Sequence, residues 1–154
     1  TRNLGNSVAL LLNGDRPLKA ELMISHAWGE DVIEAMVAIL GKIFAMGLPL
    51  TTVIWFCTFA QYQPGDEKGD CGPTVQDQLK LDPFKRVIGS QPQHGMLVVH
   101  TSRAELYGRL WCVFEVNEAA SSGVPPLAAF SMNYLIECYN AAYVRNHSKS
   151  DLCR

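Results

Sequence analysis

Strand-like and helix-like segments alternate four times along the chain, which predicts an α/β domain with a central, mostly parallel sheet of four to five strands. Short, mostly apolar runs stand at residues 21–25, 51–56, 95–100 and 127–131, and each precedes a segment in which apolar residues recur at helical spacing. Parallel strands connected through helices place those helices on both faces of the sheet. The length of 154 residues suits one domain with one core.

Residues 28–31 (WGED) are predicted to open the first long helix, with the acidic residues in its first turn, where the helix dipole favours them. Met46 and Gly47 are expected to end it. An apolar stripe at helical spacing is expected to pack on the sheet and consists of Val32, Ala35, Met36, Ile39, Leu40 and Ile43.

The third helix is predicted to open at residues 102–105 (SRAE), which form a capping-box pattern, and to become regular only after Gly108. Its inward face is expected to carry Leu106, Leu110, Val113 and Phe114. A last helix is predicted over residues 133–145, with Leu135, Ile136, Tyr139 and Tyr143 on one face.

Segments outside these elements divide the chain into three parts. Residues 1–20 form an N-terminal extension that either adds an edge strand through residues 8–12 or caps the sheet. Residues 21–146 form the domain, and residues 147–154 form a polar tail. Within the domain, Thr74 is expected to cap a helix, and Pro83 is expected to restart one.

Charge and cysteine content exclude several classes of function. The formal net charge is −2 and there is no basic run, so a nucleic-acid partner is not expected. The five cysteines contain no close pair, which argues against a zinc site and a disulfide scaffold. Reduced cysteines favour an intracellular protein, in the cytoplasm or, if the amino terminus is processed, in an organelle.

Residues 43–60 carry no charge over 18 positions, which is close to the lower length limit of a membrane-spanning helix. However, Gly47-Leu48-Pro49 within this stretch is typical of a turn between two buried elements. We therefore expect no membrane span.

In a parallel sheet the ligand crevice lies beyond the carboxyl ends of the strands. The segments expected to line it are residues 25–28, the long loop 57–73 and residues 101–108. Glu115 lies two to three turns into the helix that follows the third strand, one turn after Trp111. A carboxyl group beside a large apolar ring at this end of a sheet is a candidate reactive group.

Three segments resemble TIR (Toll/interleukin-1 receptor) domains. Residues 111–116 (WCVFEV) resemble the Trp-Cys-Leu-x-Glu-Leu motif of the plant-receptor type, and residues 25–31 (SHAWGED) resemble the segment after the first strand of those domains. Residues 55–57 (WFC) are similar to TIR-like domains of single-celled eukaryotes. The similarity extends over residues 21–143.

The resemblance implies a flavodoxin-like three-layer sandwich and a candidate activity, hydrolysis of the bond between nicotinamide and ribose in NAD. Glu115 matches the glutamate on which this cleavage depends in active TIR domains, so the resemblance implies that Glu115 is catalytic, with NAD as substrate and no bound cofactor or metal. The residues expected to contact substrate have flat rings suited to stacking and are His26, Trp28, Trp55 and Trp111.

Two other functions remain open. Many TIR-fold proteins act as signalling modules that associate with copies of themselves or with other proteins, and the apolar content of 48% suits such a role. The chain could also be a structural subunit of a larger complex. The enzyme hypothesis predicts that Glu115 and Trp28 line one concave pocket, whereas a Glu115 on a convex helix surface favours the alternatives.

Overall fold

The computed structural model describes residues 5–64 and 72–150. Its strands form a four-stranded, all-parallel sheet in the order β2-β1-β3-β4. They are β1 (Leu22–Ser25), β2 (Ile54–Phe56), β3 (Met96–His100) and β4 (Pro126–Phe130). This arrangement confirms the predicted α/β class and is consistent with a flavodoxin-like three-layer fold.

Helices connect the strands and cover both faces of the sheet. A short 3₁₀ turn, Leu106–Gly108, precedes the sixth helix. The helices are α1 (Val8–Leu12), α2 (Val32–Ala45), α3 (Cys57–Ala60), α4 (Val75–Leu79), α5 (Pro83–Gly89), α6 (Leu110–Ser121) and α7 (Met132–Ser150). None of the helices in the described part of the chain combines the length and the apolar character that crossing a membrane requires.

The two central strands, β1 and β3, are buried on both sides, which is why they are almost continuously apolar. On one face, α2 packs on alternate residues of both strands, including Leu22 and Leu97. On the other face, α5 and α6 pack on the intervening residues, including Met23 and Val98. The sheet therefore divides the core into two layers of comparable size.

Several predicted helix boundaries are confirmed by their caps. The Asp31 carboxylate accepts hydrogen bonds from the backbone N–H groups of Ile33 and Glu34, at 3.0 and 3.1 Å, and begins α2. Thr74 caps α4 in the same manner. Helix α5 starts at Pro83, and α6 becomes regular only after Gly108, as predicted.

Of the predicted inward face of the third helix, only Leu106, in the 3₁₀ turn before α6, is buried; the part of the face on α6 itself was wrong. Leu110 is 83% exposed, and Val113 and Phe114 are also exposed. The residues that α6 buries are Cys112, Glu115 and Ala119, at helical spacing. Because the periodicity rule assigns apolar residues to the interior, it turned this helix by about half a revolution away from its real orientation.

The α2 stripe is correct in part. Ala35, Ile39 and Ile43 are buried, whereas Val32, Met36 and Leu40 are exposed, and Ala38 completes the buried face. The face that touches the sheet is therefore narrower than predicted and consists largely of small residues. This leaves a strip of apolar side chains on the outer surface of α2.

The ends of the chain also differ from prediction. Residues 8–12 form helix α1, which lies against α3, so the extension is not an edge strand. Helix α7 continues to Ser150, beyond the predicted end at residue 145. Cys71, Cys153 and the acidic part of the long loop, together with the last residues of the predicted tail, lie outside the described residues.

Glu34 ties α2 to the ends of two strands. Its carboxylate accepts hydrogen bonds from the Ser102 backbone N–H at 2.8 Å, from the Ser102 hydroxyl at 2.9 Å, and from the Ser131 hydroxyl. Ser102 is therefore a partner of Glu34 and not the predicted cap of a helix. Burial would raise the pKa of Glu34, but its hydrogen bonds to Ser131 and Ser102 outweigh burial and lower it.

We expect Glu34→Ala to lower the free energy of unfolding by about 1–2 kcal/mol, because it removes three hydrogen bonds to a half-buried carboxylate. Urea unfolding at pH 7 measures this change. Glu118→Ala, which removes only a surface ion pair with Lys85 at 3.6 Å, serves as the control and should cost well under 1 kcal/mol. Equal losses in the two variants would contradict a tying role for Glu34.

Candidate functional site

The site is built at the carboxyl edge of the sheet, where the chain leaves β1 and β2. Ile24 of β1 pairs with Phe56 of β2, so the residues that follow these positions emerge side by side. His26 and Cys57 are consequently neighbours, although 31 positions separate them in the sequence. Helix α6 crosses above them and carries Glu115 on its inward face.

A cavity of about 220 Å³ lies at this edge. Its lining combines β1 and the residues after it with α3, α4, α5 and α6. The apolar lining residues are Ile24, Trp28, Val75, Leu79, Phe84 and Trp111, and the polar ones are His26, Cys57, Gln61, Arg109, Cys112 and Glu115. Glu115 and Trp28 thus line one concave pocket, the geometry that the enzyme hypothesis predicted.

Glu115 is only 5% exposed. Burial raises its pKa from 4.5 to about 7, against opposing effects of the nearby Ser25 hydroxyl and the His26 imidazolium. The Ser25 hydroxyl makes no hydrogen bond of normal geometry with any residue between 5–64 or 72–150, so burial dominates. Near neutral pH, Glu115 therefore divides between a carboxylic acid and a carboxylate.

His26 is held from both sides. Its Nδ1 lies 2.8 Å from Glu30 Oε1, its Nε2 lies 3.1 Å from Cys57 Sγ, and its ring stacks on Phe56 with ring centres 4.3 Å apart. Burial alone would lower the pKa of His26, but the hydrogen bonds to Cys57 and Glu30 raise it to about 9. His26 is therefore an imidazolium at neutral pH.

Glu30 takes a different position from the one predicted. It precedes the α2 cap and does not lie in the first turn of the helix. Its side chain turns inward, where it is 6% exposed and forms the ion pair with His26. Its second oxygen, Oε2, has no hydrogen-bond partner among the described residues.

The mouth of the cavity carries two indole rings. Trp28 and Trp111 are 55% and 56% exposed while lining the cavity with part of their surface. Arg109 connects the two sides of the mouth, because its Nη1 donates to the Trp28 carbonyl at 2.6 Å and its guanidinium lies 5.8 Å from the Trp28 ring centre. The loop after β1 is thereby attached to the start of α6.

Trp55 is the one candidate substrate-contacting residue that the structure does not bring to the cavity. It packs edge-on against Phe84, with ring centres 5.2 Å apart, and Phe84 in turn lines the cavity. Of the segments predicted to line the crevice, residues 101–108 also lie elsewhere. Ser102 and Arg103 face a second groove, between α2 and α7.

Cys112 is a small buried residue of the cavity wall. Its thiol donates to the His26 carbonyl at 3.4 Å. Burial, reinforced by the charge of Glu115, raises its pKa to about 11. Cys112 is therefore a thiol at neutral pH although it lines the same cavity as Cys57.

Several cavity residues were not singled out from the sequence. Val75, Leu79 and Phe84 belong to α4 and α5. Neither helix directly follows a strand, so the rule that ligands bind beyond strand ends could not identify these residues. Cys57 and Gln61 stand in the loop predicted to line the crevice. Cys57 also belongs to the TIR-like segment 55–57, whereas the strand-end rule was the only sequence signal for Gln61. Among the described residues no group of three or more side chains is arranged to hold a metal ion.

No family model, curated protein or solved structure matches the chain. The resemblance to TIR domains therefore depends on the three sequence segments alone. All three segments supply cavity residues: His26 and Trp28 come from residues 25–31, Cys57 from residues 55–57, and Trp111, Cys112 and Glu115 from residues 111–116.

Proposed function

We propose that this chain is a TIR-like domain that hydrolyses the nicotinamide–ribose bond of NAD, with Glu115 as the catalytic residue. The observation that carries the proposal is the inward position of Glu115, in a cavity at the carboxyl edge of a parallel sheet. A carboxyl group that serves only solubility would face water. Burying it costs free energy, and such costs are concentrated at functional sites.

The size and lining of the cavity suit one end of the proposed substrate. A volume of about 220 Å³ holds a nicotinamide ring and its ribose but not a whole dinucleotide. The phosphates and adenosine would extend through the mouth, where Arg109 offers a positive charge and Trp28 and Trp111 offer flat surfaces for stacking.

The chemistry requires little more than a well-placed negative charge. Nicotinamide leaves from NAD as a neutral group, taking the electron pair of the C1′–N bond, so no general acid is needed. Positive charge then develops on the ribose, as in the oxocarbenium-like transition state of glycoside cleavage. The Glu115 carboxylate stabilises that charge. Water attacks C1′ and releases a proton, giving ADP-ribose.

The test is nicotinamide release from NAD by the purified chain, followed by chromatography at pH 8, where Glu115 is mostly ionised. A rate of nicotinamide release that rises in proportion to protein concentration supports the proposal. So does a steeper rise, which is expected if only self-associated chains are active. Absence of nicotinamide at protein concentrations at which the chain is assembled, as measured by sedimentation, would contradict it.

A second candidate function is an interaction module, and a specific surface favours it. The groove between α2 and α7 combines polar side chains with exposed apolar residues, among them Ile33, Val37 and Ile136, which are 73%, 60% and 50% exposed. Exposed apolar side chains grouped among polar ones are typical of protein–protein contacts.

For the interaction module we expect concentration-dependent self-association that Val37→Glu weakens at least tenfold, because it places a charge among the apolar side chains of this groove. Sedimentation velocity over a range of concentrations measures the effect. Lys80→Glu is the control, because it changes the charge of an exposed side chain just after α4 that does not line the groove. It should leave association unchanged. A wild-type chain that stays monomeric throughout would contradict this role.

A further inference from the structure

Cys57, His26 and Glu30 form a connected series of a thiol, an imidazole and a carboxylate. The Cys57 sulfur lies 3.1 Å from His26 Nε2, and Glu30 Oε1 lies 2.8 Å from His26 Nδ1. In nucleophilic catalysis, a base within hydrogen-bond reach activates the thiol, and a third group orients the base. All three side chains are buried, and the sulfur lines the cavity.

The second cysteine of the cavity shows what this arrangement adds. Cys112 donates its hydrogen bond to a backbone carbonyl and has no imidazole as partner. A thiol in that setting retains its proton and reacts slowly, since the thiolate is the nucleophilic form. Two cysteines in one cavity thus differ in the group that each sulfur contacts.

Gln61 supplies a further element. It stands one helical turn after Cys57 and lines the same cavity. Its side-chain Nε2 is buried and has no hydrogen-bond acceptor in the described part of the chain. Buried donors normally have partners, so this N–H is available to the oxygen of a molecule that enters the cavity.

We propose that Cys57 is a reactive nucleophile that binds soft carbon electrophiles covalently, specifically α,β-unsaturated carbonyl compounds with an apolar tail. The apolar walls formed by Val75, Leu79 and Phe84 suit the tail. A small oxidant such as peroxide would make no use of these apolar walls or of the Gln61 N–H, which is placed to donate to a carbonyl oxygen. The assignment does not depend on NAD cleavage.

The addition balances without any further reactant. In the reacting form the proton lies on His26 Nε2 and the Cys57 sulfur is a thiolate, which forms a bond to the β-carbon of the electrophile. The electron pair of the carbon–carbon double bond moves toward the carbonyl, and the resulting enolate oxygen accepts the Gln61 N–H. The α-carbon then takes the proton from His26 Nε2, which leaves a thioether on Cys57 and a neutral imidazole.

The charged and titratable groups facing Cys57 come from two directions. His26 and Glu30 belong to the segment after β1, and Arg109, Cys112 and Glu115 belong to α6 and its start. Of these five groups, only His26 makes a hydrogen bond with the Cys57 sulfur, through its ring Nε2. Cys57 and Glu115 line the same cavity. A molecule bound covalently to Cys57 would fill this cavity and exclude other ligands from it.

The experiment measures N-ethylmaleimide labelling of the folded chain at pH 6 and pH 8, with peptide mapping by mass spectrometry to separate the cysteines. Free N-acetylcysteine in the same mixture is the reference, because the thiolate fraction of an unperturbed cysteine rises nearly 100-fold over this range. We expect the labelling rate of Cys57 to change less than threefold. The ratio of rates at one site is independent of how easily the reagent reaches it.

Glu30→Gln tests the positioning role of Glu30, since it keeps an acceptor for His26 but removes the charge that stabilises the imidazolium. The Cys57 rate at pH 6 should fall at least threefold, and its pH dependence should steepen, while Glu118→Gln leaves both unchanged. Cys57 labelling that rises with pH as steeply as that of free N-acetylcysteine, or no labelling of Cys57 in the folded wild type, overturns the proposal. Neither result depends on nicotinamide release.

Discussion

Glu115→Gln should lower the rate of nicotinamide release from NAD at least 100-fold while the chain stays folded. Glutamine has nearly the shape of glutamate, so it fills the same space on the inward face of α6. It lacks the negative charge that the proposed mechanism requires at the ribose. Losing one well-placed electrostatic group in an active site typically costs a factor of about 10²–10³. Initial rates at saturating NAD measure the effect.

The matched control is Glu118→Gln on the same helix. Glu118 points away from the cavity and pairs with Lys85, so this variant makes the same chemical change outside the proposed site. Its rate should stay within twofold of the wild type. A Glu115→Gln variant that retained wild-type turnover would eliminate Glu115 as the catalytic residue, and equal losses in both variants would point to a general effect on the helix.

The second prediction concerns stability, and its sign is opposite to that of most carboxyl groups. Because burial raises the pKa of Glu115 from 4.5 to about 7, the folded chain binds its proton more tightly than the unfolded chain. The Glu115 contribution to the free energy of unfolding therefore falls as pH rises from 4.5 to 7 and is constant above that. With about 1.4 kcal/mol for each pKa unit, the loss is about 3 kcal/mol.

Comparison with Glu115→Gln isolates this contribution, because glutamine does not titrate. The difference in free energy of unfolding, variant minus wild type, should increase by about 3 kcal/mol between pH 4.5 and pH 7. Urea unfolding at half-unit pH intervals measures it. Two curves that run parallel over this interval would show that Glu115 ionises as readily in the folded chain as in the unfolded one.

Other groups titrate in both proteins and are largely removed by subtraction. The raised pKa of His26 gives stability that is lost as pH rises from 6.5 toward 9. Burial lowers the pKa of His100, so its contribution is lost as pH falls below 6.5. The lowered pKa of Glu34 gives stability that is lost below pH 4.5, outside the Glu115 interval.

The fold class was predictable because strands and helices with strong local signals alternate along the chain. All four strands were located to within a few residues, and the helix starts at Asp31, Thr74 and Pro83 follow from residues whose chemistry fixes a cap. The orientation of α6 was not predictable in this way. Hydrophobic periodicity assigns the most apolar side to the core, and α6 buries a carboxyl group in its place.

The candidate site was predictable where it follows from strand ends and from the TIR-like segments. His26, Trp28, Trp111 and Glu115 meet at one cavity, whereas Trp55 lies behind Phe84. The partnership of Cys57 with His26 depends on the lateral pairing of β1 and β2, which no local pattern in the sequence specifies. The inward turn of Glu30 escaped prediction for a different reason, because Glu30 was assigned to the first turn of α2 but stands before the Asp31 cap.

The reversed orientation of α6 has a consequence for how the chain reaches its folded state. A helix docked by apolar attraction alone would present Leu110, Val113 and Phe114 to the sheet, the side that the native structure leaves exposed. Local preference and native docking therefore conflict in this element, which is a source of frustration on the folding landscape. The compact state with α6 rotated is a competitor that the rest of the core must outweigh, and protonation of Glu115 lessens the advantage of that competitor.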